Sequence, residues 1–261
     1  MTYKTINTEL AHNVLTITLN RPESLNAFND EMIRETTSAF KQAGKDKETR
    51  SVVITGSGRA FSSGQDLKEI NERQGEFSIG QHIRLGYNKL ILAMVTLEKP
   101  VIAAVNGVAA GAGCSVALAA DIRIASDNAS FIQIFSRVGL IPDSGSTWLL
   151  PRLIGYARAY EMAITSDRIS AKKALSWGLV NEVTPPDQLM EIGYGWARTI
   201  ASGPTLAYGL TKRAMYRGFN QSLVQSLDYE SQLQELTGRS EDFKEGIQAF
   251  VEKRDAIFEG K

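Results

Sequence analysis

Short runs rich in β-branched residues alternate with helix-patterned stretches through the first half of the chain, and this alternation restricts the fold more than any other feature. Val14-Leu15-Thr16-Ile17-Thr18-Leu19 alternates with period two and stops at Asn20-Arg21-Pro22, the pattern of a half-buried strand entering a turn. Residues 30–43 carry Met32, Ile33, Phe40 and Ala43 at helical spacing. Ser51-Val52-Val53-Ile54-Thr55-Gly56 is a β-branched strand closed by glycine, and a helical stretch over about 81–97 stops before Pro100. Val101-Ile102-Ala103-Ala104-Val105 and Asp121-Ile122-Arg123-Ile124-Ala125 read as buried strands. Strands joined in this way need crossover helices, which makes the sheet parallel and the fold class α/β.

Past Pro142 the character changes. Residues 144–178 and 187–254 read as helices separated by Gly and Pro, with one brief strand signal over Leu179 to Val183. In the last helix Ser240 caps, Glu241 and Asp242 suit the dipole, and Phe243, Ile247, Phe250 and Val251 form an apolar stripe. Such stripes are many for one small lobe, so an interface with another chain competes with packing inside the domain. No internal repeat or low-complexity segment is visible.

Composition narrows the chemistry. Lys+Arg and Asp+Glu are both 29, so the net charge is zero and the footprint of a general nucleic-acid binder is missing. One Cys excludes an intrachain disulfide and a cysteine-rich metal site, and two His leave no multi-histidine metal centre. Carboxylates, hydroxyls and backbone amides must carry the reaction. The start, Met1-Thr2-Tyr3-Lys4-Thr5-Ile6, lacks the apolar core of a signal peptide. The richest apolar run, Val101 to Ala120, is interrupted by Asn106, glycines and Ser115, short of the ~18 residues that span a bilayer. A cytoplasmic protein with no membrane association is expected.

Several motifs fail on inspection. Gly56-Ser57-Gly58-Arg59-Ala60-Phe61 begins like a dinucleotide fingerprint but has Phe61 in place of the third glycine. Asp143-Ser144-Gly145 resembles half of an aspartic-protease site, and no second copy exists to share a proton. Cys114, inside an apolar run, reads as a buried inert thiol. His12 and His82 sit in polar surroundings and read as surface residues.

Two glycine-rich segments remain. In the first, Gly58 to Ile70, Asp66 followed by Glu69 has cap spacing, so a helix begins at Asp66 with free N–H groups beside it. The second, Asn106-Gly107-Val108-Ala109-Ala110-Gly111-Ala112-Gly113-Cys114, follows a buried strand and lets a ligand approach the backbone closely. Two segments, each presenting a bare amide, suit the oxyanion of a thioester. Taken singly, each also reads as a tight turn needed for packing.

Together with their flanks they resemble a known family. Asn20-Arg21-Pro22-Glu23 with Asn26-Ala27, Ala60-Phe61-Ser62-Ser63-Gly64-Gln65-Asp66-Leu67, Lys99-Pro100 through Asn106-Gly107, Gly111-Ala112-Gly113 and Asp121-Ile122 are similar, in order, to the enoyl-CoA hydratase/isomerase (crotonase) superfamily. The resemblance implies a spiral of ββα units over residues 1–200 and a C-terminal helical trimerisation region over 201–261. It implies a homotrimer or homohexamer acting on acyl-CoA, with coenzyme A as part of the substrate and no separate cofactor or metal. It places the oxyanion amides at Gln65 and Ala112, among the substrate-contacting residues Ser63, Gly64, Asp66, Leu67, Lys68 and Gly111. Ser24, Leu25 and Ala27 fall near the nucleotide, and Phe258 and Lys261 reach it from a neighbouring subunit.

The sequence also departs from the hydratase pattern. The positions of the two water-activating glutamates hold Ser115 and Phe135, while Asp143 replaces the glycine after Ile141-Pro142. Ser115 is no base near neutral pH. Asp143 reads either as an N-cap for a helix starting near Ser144 or as a lone carboxylate facing the substrate. Ile134, Phe135, Val138 and Leu140 are expected to form an apolar wall. The run from Phe131 to Leu153 is most similar to members that isomerise ring-1,2-epoxyphenylacetyl-CoA, and related members shift enoyl-CoA double bonds. An acyl-CoA isomerase is therefore expected, with an enoyl-CoA hydratase and a non-catalytic acyl-CoA-binding member as alternatives.

Overall fold

The computed structural model describes residues 3–72 and 78–261. The first strands are β1 (Ile6–Ala11), β2 (Val14–Leu19), β3 (Ser51–Gly56), β4 (Ala60–Ser62) and β5 (Val101–Val105). The chain continues through β6 (Val108–Ala110), β7 (Ile122–Ser126), β8 (Ser130–Ile132), β9 (Ile169–Ser170) and β10 (Glu182–Thr184). The helices between them are α1 (Asp30–Lys45), α2 (Leu67–Glu72), α3 (Ile79–Leu85), α4 (Tyr87–Val95), α5 (Ala112–Leu118) and α6 (Ser146–Ile154). Then follow α7 (Tyr156–Thr165), α8 (Ala171–Trp177), α9 (Leu189–Ala201), α10 (Thr205–Gly218), α11 (Leu223–Thr237) and α12 (Glu241–Glu252).

Six strands form one sheet in the order β1-β2-β3-β5-β7-β10, antiparallel only at β1–β2. Four short strands form a second sheet in the order β4-β6-β8-β9, with β4, β6 and β8 mutually parallel. The pairs β3–β4, β5–β6 and β7–β8 each place one strand in either sheet before a helix returns, which builds a spiral of ββα units. The long sheet is buried on both faces. Val52 and Ile54 enter the main core with Phe28, Met32 and Phe40, whereas Val53 points the other way, against Leu189, Ala197 and Ala201 of α9. That explains why β3 reads as a continuous apolar run rather than an alternation.

The expected strands and α1 appear within about two residues of their predicted bounds. Two readings differ. The helix predicted over 81–97 is broken at Gly86 into α3 and α4, and the strand signal at Leu179 to Val183 is realised as Glu182–Thr184. Ser240 caps α12 by accepting from the Phe243 N–H at 3.0 Å. No described helix is long and apolar enough to cross a membrane.

The long helix α10 is tied to the core by a buried ion pair. The Lys212 ammonium donates to Asp121 Oδ2 at 2.8 Å and to the Met94 carbonyl at 2.9 Å, and the Val101 N–H donates to the same carboxylate oxygen. Lys212→Met leaves that carboxylate buried without its cation. We expect it to lose about 3–5 kcal/mol in urea unfolding, with much of the loss recovered when Asp121→Asn is added. Beyond α10 the apolar stripes face outward: Phe250 is 84% and Val224 77% exposed.

Candidate active site

The parallel pairing of β4, β6 and β8 brings three loops to one edge of the short sheet. Residues 63–66 leave β4, Gly111 and Ala112 leave β6, and Gln133 to Phe135 leave β8. Loops beyond the carboxyl ends of parallel strands are where α/β folds bind ligands.

The first loop is aimed by its neighbours. The Phe28 N–H donates to the Gly64 carbonyl at 2.7 Å, and the Asp66 N–H donates to the Phe28 carbonyl at 2.9 Å. In this parallel bridge between Phe28 and Gln65, the residue between the two bonded neighbours turns its own N–H to the opposite side. That side holds the end of β6. A Cβ on Gly64, whose φ is +96°, would stand 2.7 Å from the Ala110 carbonyl oxygen and 3.3 Å from the Ala112 nitrogen, so only glycine lets the two loops approach this closely. Ala112 opens α5, where an N–H has no partner within the helix. Among the described residues, neither the Gln65 nor the Ala112 N–H donates to another protein group. Asp66 caps α2 as expected, its carboxylate accepting from the Lys68 N–H at 3.2 Å, and it pairs with Arg21 at 3.0 Å.

Residues 24–27 are stitched to this loop. The Ser63 N–H donates to the Leu25 carbonyl, the Ser63 hydroxyl to the Ser24 carbonyl, and the Arg21 guanidinium to the Ala27 carbonyl at 2.6 Å. Asn26, fully buried and with φ +55°, donates to the Ser57 and Ala60 carbonyls and accepts from the Arg21 N–H. Leu67 and Lys68 are exposed at the start of α2. Phe258 and Lys261 lie elsewhere in their own chain. The Phe258 carbonyl accepts from Arg50, which precedes β3, and the Lys261 carbonyl accepts from the Asp242 N–H.

Asp143 does not cap a helix. The N-cap of α6 is Gly145, in the left-handed region at φ +82°, and the Asp143 carboxylate instead accepts from the Ser144 hydroxyl at 2.7 Å. Burial holds this carboxyl above the ordinary carboxylate range; the Ser144 hydroxyl and the His82 ring partly oppose that. The loop carrying it is pinned from inside. The Ser115 hydroxyl lies 3.1 Å from the Gly111 carbonyl, 3.3 Å from the Asp143 carbonyl and 2.7 Å from the Ser146 hydroxyl, which accepts from Gln133 Nε2. One fully buried serine thus links the Gly111–Ala112 peptide to the Asp143 peptide. Phe135 is also buried, and together with Ile134 it reaches the edge of Gly111. Val138 and Leu140 are exposed on the following turn.

Sequence reasoning placed His82 on the surface, and the structure corrects this: its side chain is only 9% exposed. Its Nε2 lies 2.9 Å from Gln65 Oε1, an atom that also accepts from the buried Tyr87 hydroxyl at 2.8 Å. Neither residue carried a signal beyond helical patterning. Cys114 is buried as expected, and burial pushes its thiol up to about 12.

Comparison with known proteins agrees with this architecture. Residues 9–261 match the enoyl-CoA hydratase/isomerase family, and the chain belongs to it. It is 44% identical over 250 residues to a 1,2-epoxyphenylacetyl-CoA isomerase from Escherichia coli, with 95% of each chain covered. It is 36% identical, end to end, to a trans-2-decenoyl-[acyl-carrier-protein] isomerase from Streptococcus mutans. The crystal structure of an enoyl-CoA hydratase from Bacillus anthracis superposes with a TM-score of 0.94 at 36% identity, covering 99% of this chain and 100% of that one. The chain is accordingly an enzyme of the crotonase type, similar to relatives named for isomerisation and for hydration alike.

Proposed function

We propose that this protein is an acyl-CoA isomerase working through a thioester enolate, on ring-1,2-epoxyphenylacetyl-CoA or on an enoyl-CoA whose double bond shifts. The observation that carries the reading is the lone, uncapped, desolvated carboxylate of Asp143, with Ser115 and Phe135 at the positions where a hydratase holds its two acids. The N–H groups of Gln65 and Ala112 bind the thioester oxygen, and their hydrogen bonds strengthen as negative charge grows on it. Asp143 takes a proton from carbon near the thioester and returns it to another carbon, so one base serves both halves of the shift. Ile134 and Phe135 exclude water beside the oxyanion, with Val138 and Leu140 completing the acyl wall. Ser24, Leu25 and Ala27 together with Lys68 line the path of the nucleotide. The outward apolar faces of α11 and α12 bring subunits together as a homotrimer or homohexamer, so that Phe258 and Lys261 complete a neighbour's site. Coenzyme A enters only as part of the substrate, and the enzyme works in the cytoplasm. The 44% identity to a named isomerase supports this choice of substrate class.

Hydration is the competing reading, supported by the fold shared with a named hydratase. It would require Asp143 alone to hold and activate water. Assays of the purified protein with ring-1,2-epoxyphenylacetyl-CoA, trans-3-hexenoyl-CoA and crotonyl-CoA separate the two. We expect isomerisation to exceed hydration by about 10²-fold or more in kcat/KM, the contribution of one acid–base group. Hydration as the faster reaction refutes the isomerase reading.

A further inference from the structure

The Gln65 side chain reaches from its loop to α3 and α4. Its Nε2 donates to the Phe28 carbonyl at 3.1 Å, the same oxygen that accepts from the Asp66 N–H. That contact orients the carboxamide and leaves Oε1 to accept from the Tyr87 hydroxyl at 2.8 Å and from His82 Nε2 at 2.9 Å. A carbonyl oxygen only accepts, so His82 Nε2 carries the proton of that contact. The opposite ring nitrogen lies 3.4 Å from Asp30 Oδ1 at the start of α1. The Tyr87 ring is fixed edge-on between Phe28, at 6.0 Å, and His82, at 5.7 Å. Burial, and next the Asp143 carboxylate, push its phenol well above the usual tyrosine range, so it remains a protonated donor at every working pH.

We infer that Tyr87 and His82 are positioning residues that clamp the Gln65 carboxamide and so hold the Gln65 N–H on the thioester oxygen. The inference rests on the oxyanion role given to that N–H in the proposed function. Four hydrogen bonds, the fourth from Nε2 to the Asp66 carbonyl at 3.4 Å, orient one side chain on the residue whose amide must meet developing charge, and oxyanion stabilisation depends steeply on donor placement. The bridge to Phe28 sets the direction of the amide. The clamp anchors the loop to α3 and α4, which the bridge does not touch.

Tyr87→Phe keeps the packed ring and deletes one donor; His82→Leu deletes the other, and His82→Gln restores an amide donor of similar reach. Each deletion should lower kcat about three- to tenfold, the worth of one neutral hydrogen bond, with KM changed less than twofold. His82→Gln should recover most of the loss. The direct readout is the carbonyl stretch of phenylacetyl-CoA, labelled with ¹³C at the thioester, bound to wild type, to each variant and to Gln65→Pro. In wild type the band should lie below its position in solution, and in Tyr87→Phe and His82→Leu it should move part of the way back. A wild-type band unmoved from solution overturns the oxyanion assignment itself. A band shifted in wild type, moved back toward solution in Gln65→Pro, yet identical to wild type in both Tyr87→Phe and His82→Leu overturns the clamp and leaves the oxyanion reading standing.

Discussion

Asp143→Asn should abolish most isomerase turnover and at the same time make the protein more stable at neutral pH. Loss of a positioned base lowers kcat by about 10²–10⁴-fold. The stability gain follows from the environment of the carboxyl. Burial raises its folded pKa above that of the same side chain in the unfolded chain, so as pH rises the unfolded chain releases this proton before the folded one does. Stability therefore falls across the interval between the unfolded and the folded value, and above it the full penalty of a desolvated carboxylate is in place. Asparagine accepts from Ser144 without a charge. The advantage of the variant should shrink as pH falls through about 4, where the unfolded wild-type side chain is half protonated, and grow above it. Urea unfolding from pH 4 to pH 8 measures this directly. A helix-capping aspartate would show no such gain, because asparagine caps equally well. An active variant, or one less stable at neutral pH, would falsify the assignment of Asp143 as the base. In wild type, the acid limb of the kcat/KM profile, which reports the free enzyme, should lie above the ordinary carboxylate range, since the raised value is that of the reacting group.

The elements legible in the sequence are those whose burial leaves a one-dimensional mark. β2, β3, β5 and β7 occupy the interior of the long sheet and show as β-branched runs. β1 lies on its edge with only Ile6 buried, so Ile6–Ala11 reads as polar chain. The second sheet escaped because β4, β6 and β8 are three residues each, too short for any period to show. Yet this sheet gathers the site loops; the glycines beside it mark the two segments in the sequence, and the family resemblance places the amides at Gln65 and Ala112. His82 and Tyr87 could not be found in this way. Their bonds to Gln65 span 17 and 22 residues, and nothing in an amphipathic helix marks which polar side chain turns inward. The same holds for Ser115. Its substitution for an acid was visible, but its link to the Asp143 carbonyl and the Ser146 hydroxyl, 28 and 31 residues on, exists only once the loops have met.

Ala112→Pro should fold normally and lose about 10²–10³-fold in kcat, the usual worth of one oxyanion donor. Residue 112 is the first of α5, the one helical position where proline is favoured, because its missing N–H would have no helical partner. Among the described residues that N–H satisfies no other group, so its removal strands no acceptor and should leave the unfolding midpoint near wild type. The proline ring also places carbon where the thioester oxygen would sit, which deepens the loss without touching Asp143. Ala112→Ser is the control, since it keeps the N–H and adds a small side chain at the same place. Turnover within about threefold of wild type in a folded Ala112→Pro protein, well inside the loss expected for one donor, would remove this amide from the mechanism. The contrast with Asp143→Asn is then informative: one variant keeps the base and loses the charge stabiliser, and the other does the reverse. If proton removal and enolate stabilisation act as a unit, the double variant should be scarcely slower than the worse of the two single ones, because either loss alone already blocks the enolate.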